Sequence, residues 1–196
     1  MEKALIATAA FVTGSIPFGW IFVKLLKRAD IRTIGSGSTG ATNVYRACGL
    51  LPAVFVFVLD FLKGFLPVYF ISSLSGGNTK GILLQILVGA ATILGHSFSV
   101  FLKFRGGKGV ASLAGVAVAL APIPLLGAFG VFLVVFALFK VVSAASILAT
   151  ISFAFFCAFF SEKEIAIFAA AVALLVIFSH RKNILRILRR EEKKII

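Results

Sequence analysis

The residues able to do chemistry in this 196-residue chain fall into four short segments. The first reads Gly35-Ser-Gly-Ser-Thr-Gly-Ala-Thr-Asn-Val-Tyr-Arg46. Gly35, Gly37 and Gly40 satisfy the GxGxxG spacing of dinucleotide sites. That motif requires a preceding strand and a βαβ unit, and the apolar runs on either side allow neither. The underlying physics still applies. Small residues leading into a helix offer backbone N–H groups to a phosphate. Ser36, Ser38, Thr39, Thr42 and Asn43 add side-chain donors, and Arg46 adds charge. The plain alternative is a flexible polar loop, which Gly/Ser-rich connections often form.

The second segment runs from His96 to Ser112 and contains Gly106-Gly-Lys108-Gly. It is not a P-loop. Leu102 stands where the first glycine belongs, and Gly109 where Ser or Thr should follow the lysine. Gly106 and Gly107 before Lys108, at the start of a helix, still suit an oxyanion, with N–H groups and a cation aimed at one place. A topological anchor would explain the cations but not the glycines.

The third segment, Lys140-Val-Val-Ser143-Ala-Ala-Ser146, ends an apolar run. Serines in such helices often bond their own i−4 carbonyl, so Ser143 and Ser146 carry little signal alone. The fourth is Ser179-His180-Arg-Lys-Asn183-Ile-Leu-Arg186, in which His180 and Asn183 are expected to share a helical face. A histidine among cations tends to stay neutral, accepting one hydrogen bond and donating another. Asp60 and Lys63 lie within an apolar run at i, i+3, and each needs a partner there. They are expected to form a structural pair.

The elements that must position these groups are membrane spans. The chain is 60% hydrophobic with a mean hydropathy of +1.09, beyond the usual range of soluble domains. Ala4–Leu26, Leu50–Leu74, Gly81–Leu102, Val141–Phe160 and Ile165–Ser179 are the apolar runs that read as spans. Val110–Phe139, broken by Pro122 and Pro124, reads as a hairpin of two short helices, the first gaining length by starting near Gly107. The first run is too long for a signal h-region and shows no small-residue cleavage site, so a retained helix is expected.

Charge then sets the topology. With Val110–Phe139 as a hairpin, only Lys3, Lys80 and Lys163 lie opposite the other loops and Lys63 lies within a span, leaving 20 − 4 = 16 of the 20 basic residues on one side. The positive-inside rule makes that side cytoplasmic, with the N-terminus outside. The expected fold is therefore an all-α polytopic membrane protein with seven transmembrane helices; the alternative is five spans plus a re-entrant hairpin. Residues 1–196 are expected to form a single domain. The tail after Ser179 is amphipathic and is expected along the cytoplasmic interface. All four polar segments then face the cytoplasm, while the outside shows only short links such as Ser72–Lys80. The formal charge of +13 does not indicate nucleic acid, because the basic residues flank spans.

At these motifs the chain resembles the PlsY-type acyl-phosphate glycerol-3-phosphate acyltransferases of bacteria. The resemblance rests on Gly35–Asn43, on His96–Ala111 with its Gly-Gly-Lys-Gly core, on Val142–Ser146, on His180–Ile184, and on Asp60-Phe-Leu-Lys63-Gly64. It covers nearly the whole chain in the right order. Ser38 and Thr39 stand where the family usually has Asn and Pro or Ile, Ser99 replaces a Pro, Arg105 a Lys, and Ala145 a serine.

The resemblance implies acyl transfer from acyl phosphate to the 1-hydroxyl of glycerol 3-phosphate, giving lysophosphatidic acid and phosphate for phospholipid synthesis in the inner membrane. It also implies no cofactor, no metal, no acyl-CoA and no acyl carrier protein. The HxxxxD pair of other acyltransferases is missing, since Phe101 and Leu185 occupy the Asp positions after His96 and His180. On this reading Lys108, Arg46 and the N–H groups of Gly106 and Gly107 clamp phosphate. The loop residues Ser36, Gly37, Ser38, Thr39, Gly40, Thr42 and Asn43 help to bind it. Ser143, Ser146, His180 and Asn183 orient glycerol 3-phosphate.

A reading from another class is a transporter of a phosphorylated metabolite, with Gly14-Ser-Ile-Pro17 as a helix break and Asp60/Lys63 as its site. No internal repeat supports it. Uptake of glycerol phosphate into vesicles without an acyl donor discriminates the two.

Overall fold

The computed structural model describes residues 1–75 and 79–195. The described residues are helical or irregular, with no strand among them. Part of the expected Ser72–Lys80 link lies outside the described residues. The chain divides into two compact units, Met1–Ala119 and Leu120–Ile196.

The first unit holds α1 (Glu2–Ser15), α2 (Phe18–Lys27), α3 (Ala41–Cys48), α4 (Leu50–Ser75), α5 (Thr79–Ser97) and α6 (Val110–Leu120), with 3₁₀ turns at Ile31–Thr33 and Val100–Leu102. The first apolar run is broken between α1 and α2, where Pro17 supplies no N–H and turns Ile16 to ψ 116°. Carbonyls freed at that break find donors from elsewhere in the unit. Lys63 Nζ donates to the Ile16 carbonyl at 2.8 Å, and Ser99 Oγ to that of Ser15 at 2.5 Å.

Helices pack closely where glycines face backbone. A Cβ on Gly14 would fall 2.3 Å from the Thr92 carbonyl, and one on Gly95 2.2 Å from that of Phe11, so α1 and α5 touch through main chain. Gly64 meets the Ser112 carbonyl in the same way, joining α4 to α6.

The second unit holds α7 (Pro122–Phe139), α8 (Val142–Phe160), α9 (Lys163–Ser179) and α10 (Arg181–Leu188). Pro122 and Pro124 start α7 instead of interrupting a helix, since a missing N–H costs nothing in the first turn. The expected extension of α6 back to Gly107 is not seen. Gly109 sits at φ +83°, a left-handed conformation that ends the loop before the helix begins at Val110.

Five helical stretches, with α1 and α2 counted together as Glu2–Lys27, are long and apolar enough to cross a membrane among the described residues, and a sixth counts if α9 and α10, bent by 61°, are one span. The helix Val110–Leu120 is apolar but shorter. Large apolar side chains point outward along these helices, among them Phe55 and Phe70 on α4, Leu126 and Leu138 on α7, and Phe155 and Phe159 on α8. An apolar exterior of this extent is what a lipid surround permits and water does not.

Candidate active site

In the first loop, Asn43 is the organising side chain. From the first turns of α3 its Nδ2 donates to the carbonyls of Ile34 and Ser38 at 2.9 Å and of Ile31 at 3.2 Å. Its Oδ1 accepts from the Ser36 N–H at 2.9 Å. Gly35 is held at φ +57°, and a Cβ there would lie 2.3 Å from Asn43 Oδ1. The Asn43 amide is thus committed to holding the loop and is almost wholly buried.

Two backbone donors are also occupied, since the Ser36 N–H goes to Asn43 and the Gly37 N–H to the Ile34 carbonyl at 3.0 Å. The Gly40 N–H faces Ser38 Oγ at 3.4 Å. Thr39 is buried, its carbonyl packed where a Cβ on Gly19 would clash. Ser36 and Ser38 on the loop, Thr42 in the first turn of α3 and Arg46 in its last turn are half-buried. Just ahead of this loop, the Arg32 guanidinium forks onto Asp30 and holds its carboxyl far below the usual range.

The glycine loop is also bonded to its own neighbours. The Gly106 N–H donates to the Ser97 carbonyl at 3.1 Å and the Gly107 N–H to the His96 carbonyl at 3.0 Å, so both are taken by the end of α5. These positions are glycine because the chain passes too near α5 for a side chain. A Cβ on Gly106 would lie 2.1 Å from the His96 carbonyl, and one on Gly107 2.2 Å from His96 Nε2. Lys108 follows, half-buried. The other face of the same imidazole looks toward Asp60, with Nδ1 3.6 Å from Oδ1. Asp60 in turn holds Lys63 at 2.7 Å. The expected Asp60–Lys63 pair is present, and His96 joins it to the loop that carries Lys108.

In the second unit, the start of α8, the α9–α10 bend and the tail meet. His180 is not on a continuous helix with Asn183, as the spacing suggests, but sits at the bend between α9 and α10. Its Nδ1 lies 2.8 Å from the Val176 carbonyl. A carbonyl only accepts, so Nδ1 carries a proton. Ser143, Ser146 and Asn183 are buried close to the helix ends.

One residue of this cluster goes unnoticed in the sequence. Glu192 Oε1 accepts from Ser143 Oγ at 2.8 Å and from Asn183 Nδ2 at 2.5 Å. Its Oε2 accepts from Arg186 Nε at 2.5 Å. Burial raises the affinity of this carboxyl for a proton, but the bonds from Arg186, Asn183 and Ser143 outweigh it and hold the group below its usual range. The available signal was slight: Glu191 and Glu192 are carboxylates in an otherwise basic tail. No helical spacing links Glu192 to Asn183 or Ser143.

A family model for glycerol-3-phosphate acyltransferase matches residues 4–190. The chain belongs to that family. A glycerol-3-phosphate acyltransferase of Aquifex aeolicus (strain VF5) is 42% identical over 196 residues, covering 99% of this chain and 100% of the relative. One of Endomicrobium trichonymphae is 41% identical over 194 residues, covering 98% and 96%. A crystal structure of PlsY (YgiH), an integral membrane glycerol 3-phosphate acyltransferase in its glycerol 3-phosphate form, superposes with a TM-score of 0.92. It is 40% identical, with 100% of this chain and 96% of that one covered. The lysophosphatidic acid form gives 0.87 at 38% identity, covering 99% and 95%. This acyltransferase is thus an all-helical integral membrane protein of lipid biosynthesis.

Proposed function

We propose that the chain transfers an acyl group from acyl phosphate to the 1-hydroxyl of glycerol 3-phosphate, releasing lysophosphatidic acid and inorganic phosphate. The hydroxyl oxygen bonds to the acyl carbon, the bond from that carbon to the phosphate oxygen breaks, and the hydroxyl proton leaves with a phosphate group. The observation that carries this reading is the character of the polar residues in a chain of this family. They are Lys108 and Arg46 with half-buried hydroxyls in one unit, and a buried histidine with buried Ser and Asn in the other. Small dianionic headgroups suit such groups; acyl-CoA and acyl carrier protein call for a larger docking surface.

Lys108 and Arg46 are assigned to phosphate, with Ser36, Ser38 and Thr42 as further donors. A positioned cation facing developing phosphate charge contributes several kcal/mol to catalysis. Ser143, Ser146, His180 and Asn183 are assigned to glycerol 3-phosphate, where orientation alone can contribute about 7–11 kcal/mol. No step calls for a cofactor.

We read residues 1–196 as one acyltransferase domain, since the family match runs through both units. In the bacterial inner membrane it has seven crossings, counting the short α6, with the N-terminus outside and these groups at the cytoplasmic face. The distribution of lysine and arginine supports that orientation. The test is purified protein with palmitoyl phosphate and glycerol 3-phosphate. Stoichiometric phosphate and lysophosphatidic acid are expected; equal turnover with palmitoyl-CoA overturns the donor assignment.

A further inference from the structure

Glu192 touches two of the groups assigned to glycerol 3-phosphate, and it uses both oxygens to do so and to hold Arg186. Its side chain is only 6% exposed. The tail that carries it is tied on both sides. The Glu191 N–H donates to the Arg186 carbonyl at 2.7 Å, and the Ile195 N–H to the Lys140 carbonyl at 3.1 Å. A carboxylate so enclosed and so tethered is a built part of the cluster, not a detachable plug in an anion site.

Its chemistry has a consequence for Ser143. An ionised carboxylate only accepts, so the Ser143 hydroxyl must spend its single proton on Glu192 and is left with acceptor lone pairs. A phosphate dianion likewise only accepts and gains nothing from such an oxygen. An alcohol has a proton to give it.

We propose that Glu192 is a positioning residue for the acyl acceptor: it fixes Ser143 as an acceptor for a hydroxyl of glycerol 3-phosphate, and holds Asn183 and Arg186 around it. This rests on the function proposed above. Glu192→Ala raises the KM for glycerol 3-phosphate about tenfold, the scale of one hydrogen bond involving a charge, and leaves the KM for palmitoyl phosphate within twofold. In a Ser143→Ala background the same change adds little, because the two act through one contact. Glu192→Gln, closer in shape, carries the same test should Glu192→Ala not fold. An equal rise in both KM values, an unchanged KM for glycerol 3-phosphate, or full additivity with Ser143→Ala overturns the role of Glu192 while leaving the acyltransferase reading in place. A wild type that turns over neither substrate overturns both.

Discussion

Gly107 lies against the imidazole of His96 so closely that a Cβ on it would fall 2.2 Å from Nε2. The ring backs onto Asp60, so it has little room to retreat. Gly107→Ala must therefore move either the ring or the loop that presents Lys108. A fall in kcat/KM of at least about tenfold is expected, since small misplacements at a reacting centre are costly. His96→Ala in the same chain restores the space. The double variant should be less impaired than the sum of the two single changes predicts, and simple additivity would show that the contact is unimportant.

Lys108 follows two glycines whose N–H groups are already bonded to α5, so the loop's remaining means of binding phosphate is largely the lysine's charge. Lys108→Ala should lower kcat/KM about a hundredfold or more, the scale of losing one oxyanion donor. Lys108→Arg should recover part of it. Lys80, exposed at the start of α5, is the control, and Lys80→Ala should behave as wild type. Normal kinetics in Lys108→Ala would reduce the second loop to a topological anchor.

The residues named in the sequence and the roles the structure gives them diverge for identifiable reasons. Spans were legible because hydropathy and the cost of lipid-exposed backbone leave few options, and Asp60 with Lys63 because their spacing is local. Gly106 and Gly107 stood out in the sequence, and the structure adds a packing reason for them. A glycine that offers its N–H and one that leaves room for a neighbour look alike in sequence, and only the distance to His96 separates them. Asn43 was likewise indistinguishable from a ligand donor until its amide was seen bonded to Ile31, Ile34 and Ser38. Glu192 was missed because its partners lie 49 and 9 residues away, outside any helical period.

The Asp60–Lys63 pair is expected to matter for stability. Both side chains are nearly inaccessible, at 3% and 6% exposed, and Lys63 also satisfies the Ile16 carbonyl at the α1–α2 break. Lys63→Met leaves the buried Asp60 carboxylate without its cation and takes one of two donors from the Ile16 carbonyl, which keeps the Phe18 N–H. A loss of about 3–5 kcal/mol is expected, which for a chain of this length lowers Tm by roughly 10 °C. Asp60→Asn combined with Lys63→Met removes both charges and should recover part of the loss. A double variant less stable than Lys63→Met alone would mean that the carboxylate's contact with His96 outweighs its pairing.

The attacking group is expected to be a hydroxyl of the substrate and not of the protein. A serine next to a carboxylate, Ser143 beside Glu192, invites the idea of an acyl-serine intermediate. The geometry argues against it. Arg186, Asn183 and Ser143 together hold the Glu192 carboxyl below its usual range, which makes it a weak base and leaves Ser143 protonated at neutral pH. His180 donates its Nδ1–H to the Val176 carbonyl, which spends that nitrogen on the backbone. A substrate phosphate, with a second pKa near 6, can take the hydroxyl proton itself. Direct attack by glycerol 3-phosphate is therefore expected. Palmitoyl phosphate alone should give no burst of phosphate, and mass spectra should show no acylated peptide. Ser143→Ala should retain measurable turnover, with its loss expressed mainly in the KM for glycerol 3-phosphate. Cys48→Ala and Cys157→Ala should keep most activity, both thiols being free and neither belonging to a polar cluster. A stoichiometric burst without acceptor that vanishes in Ser143→Ala would make that serine the nucleophile and Glu192 its partner in catalysis.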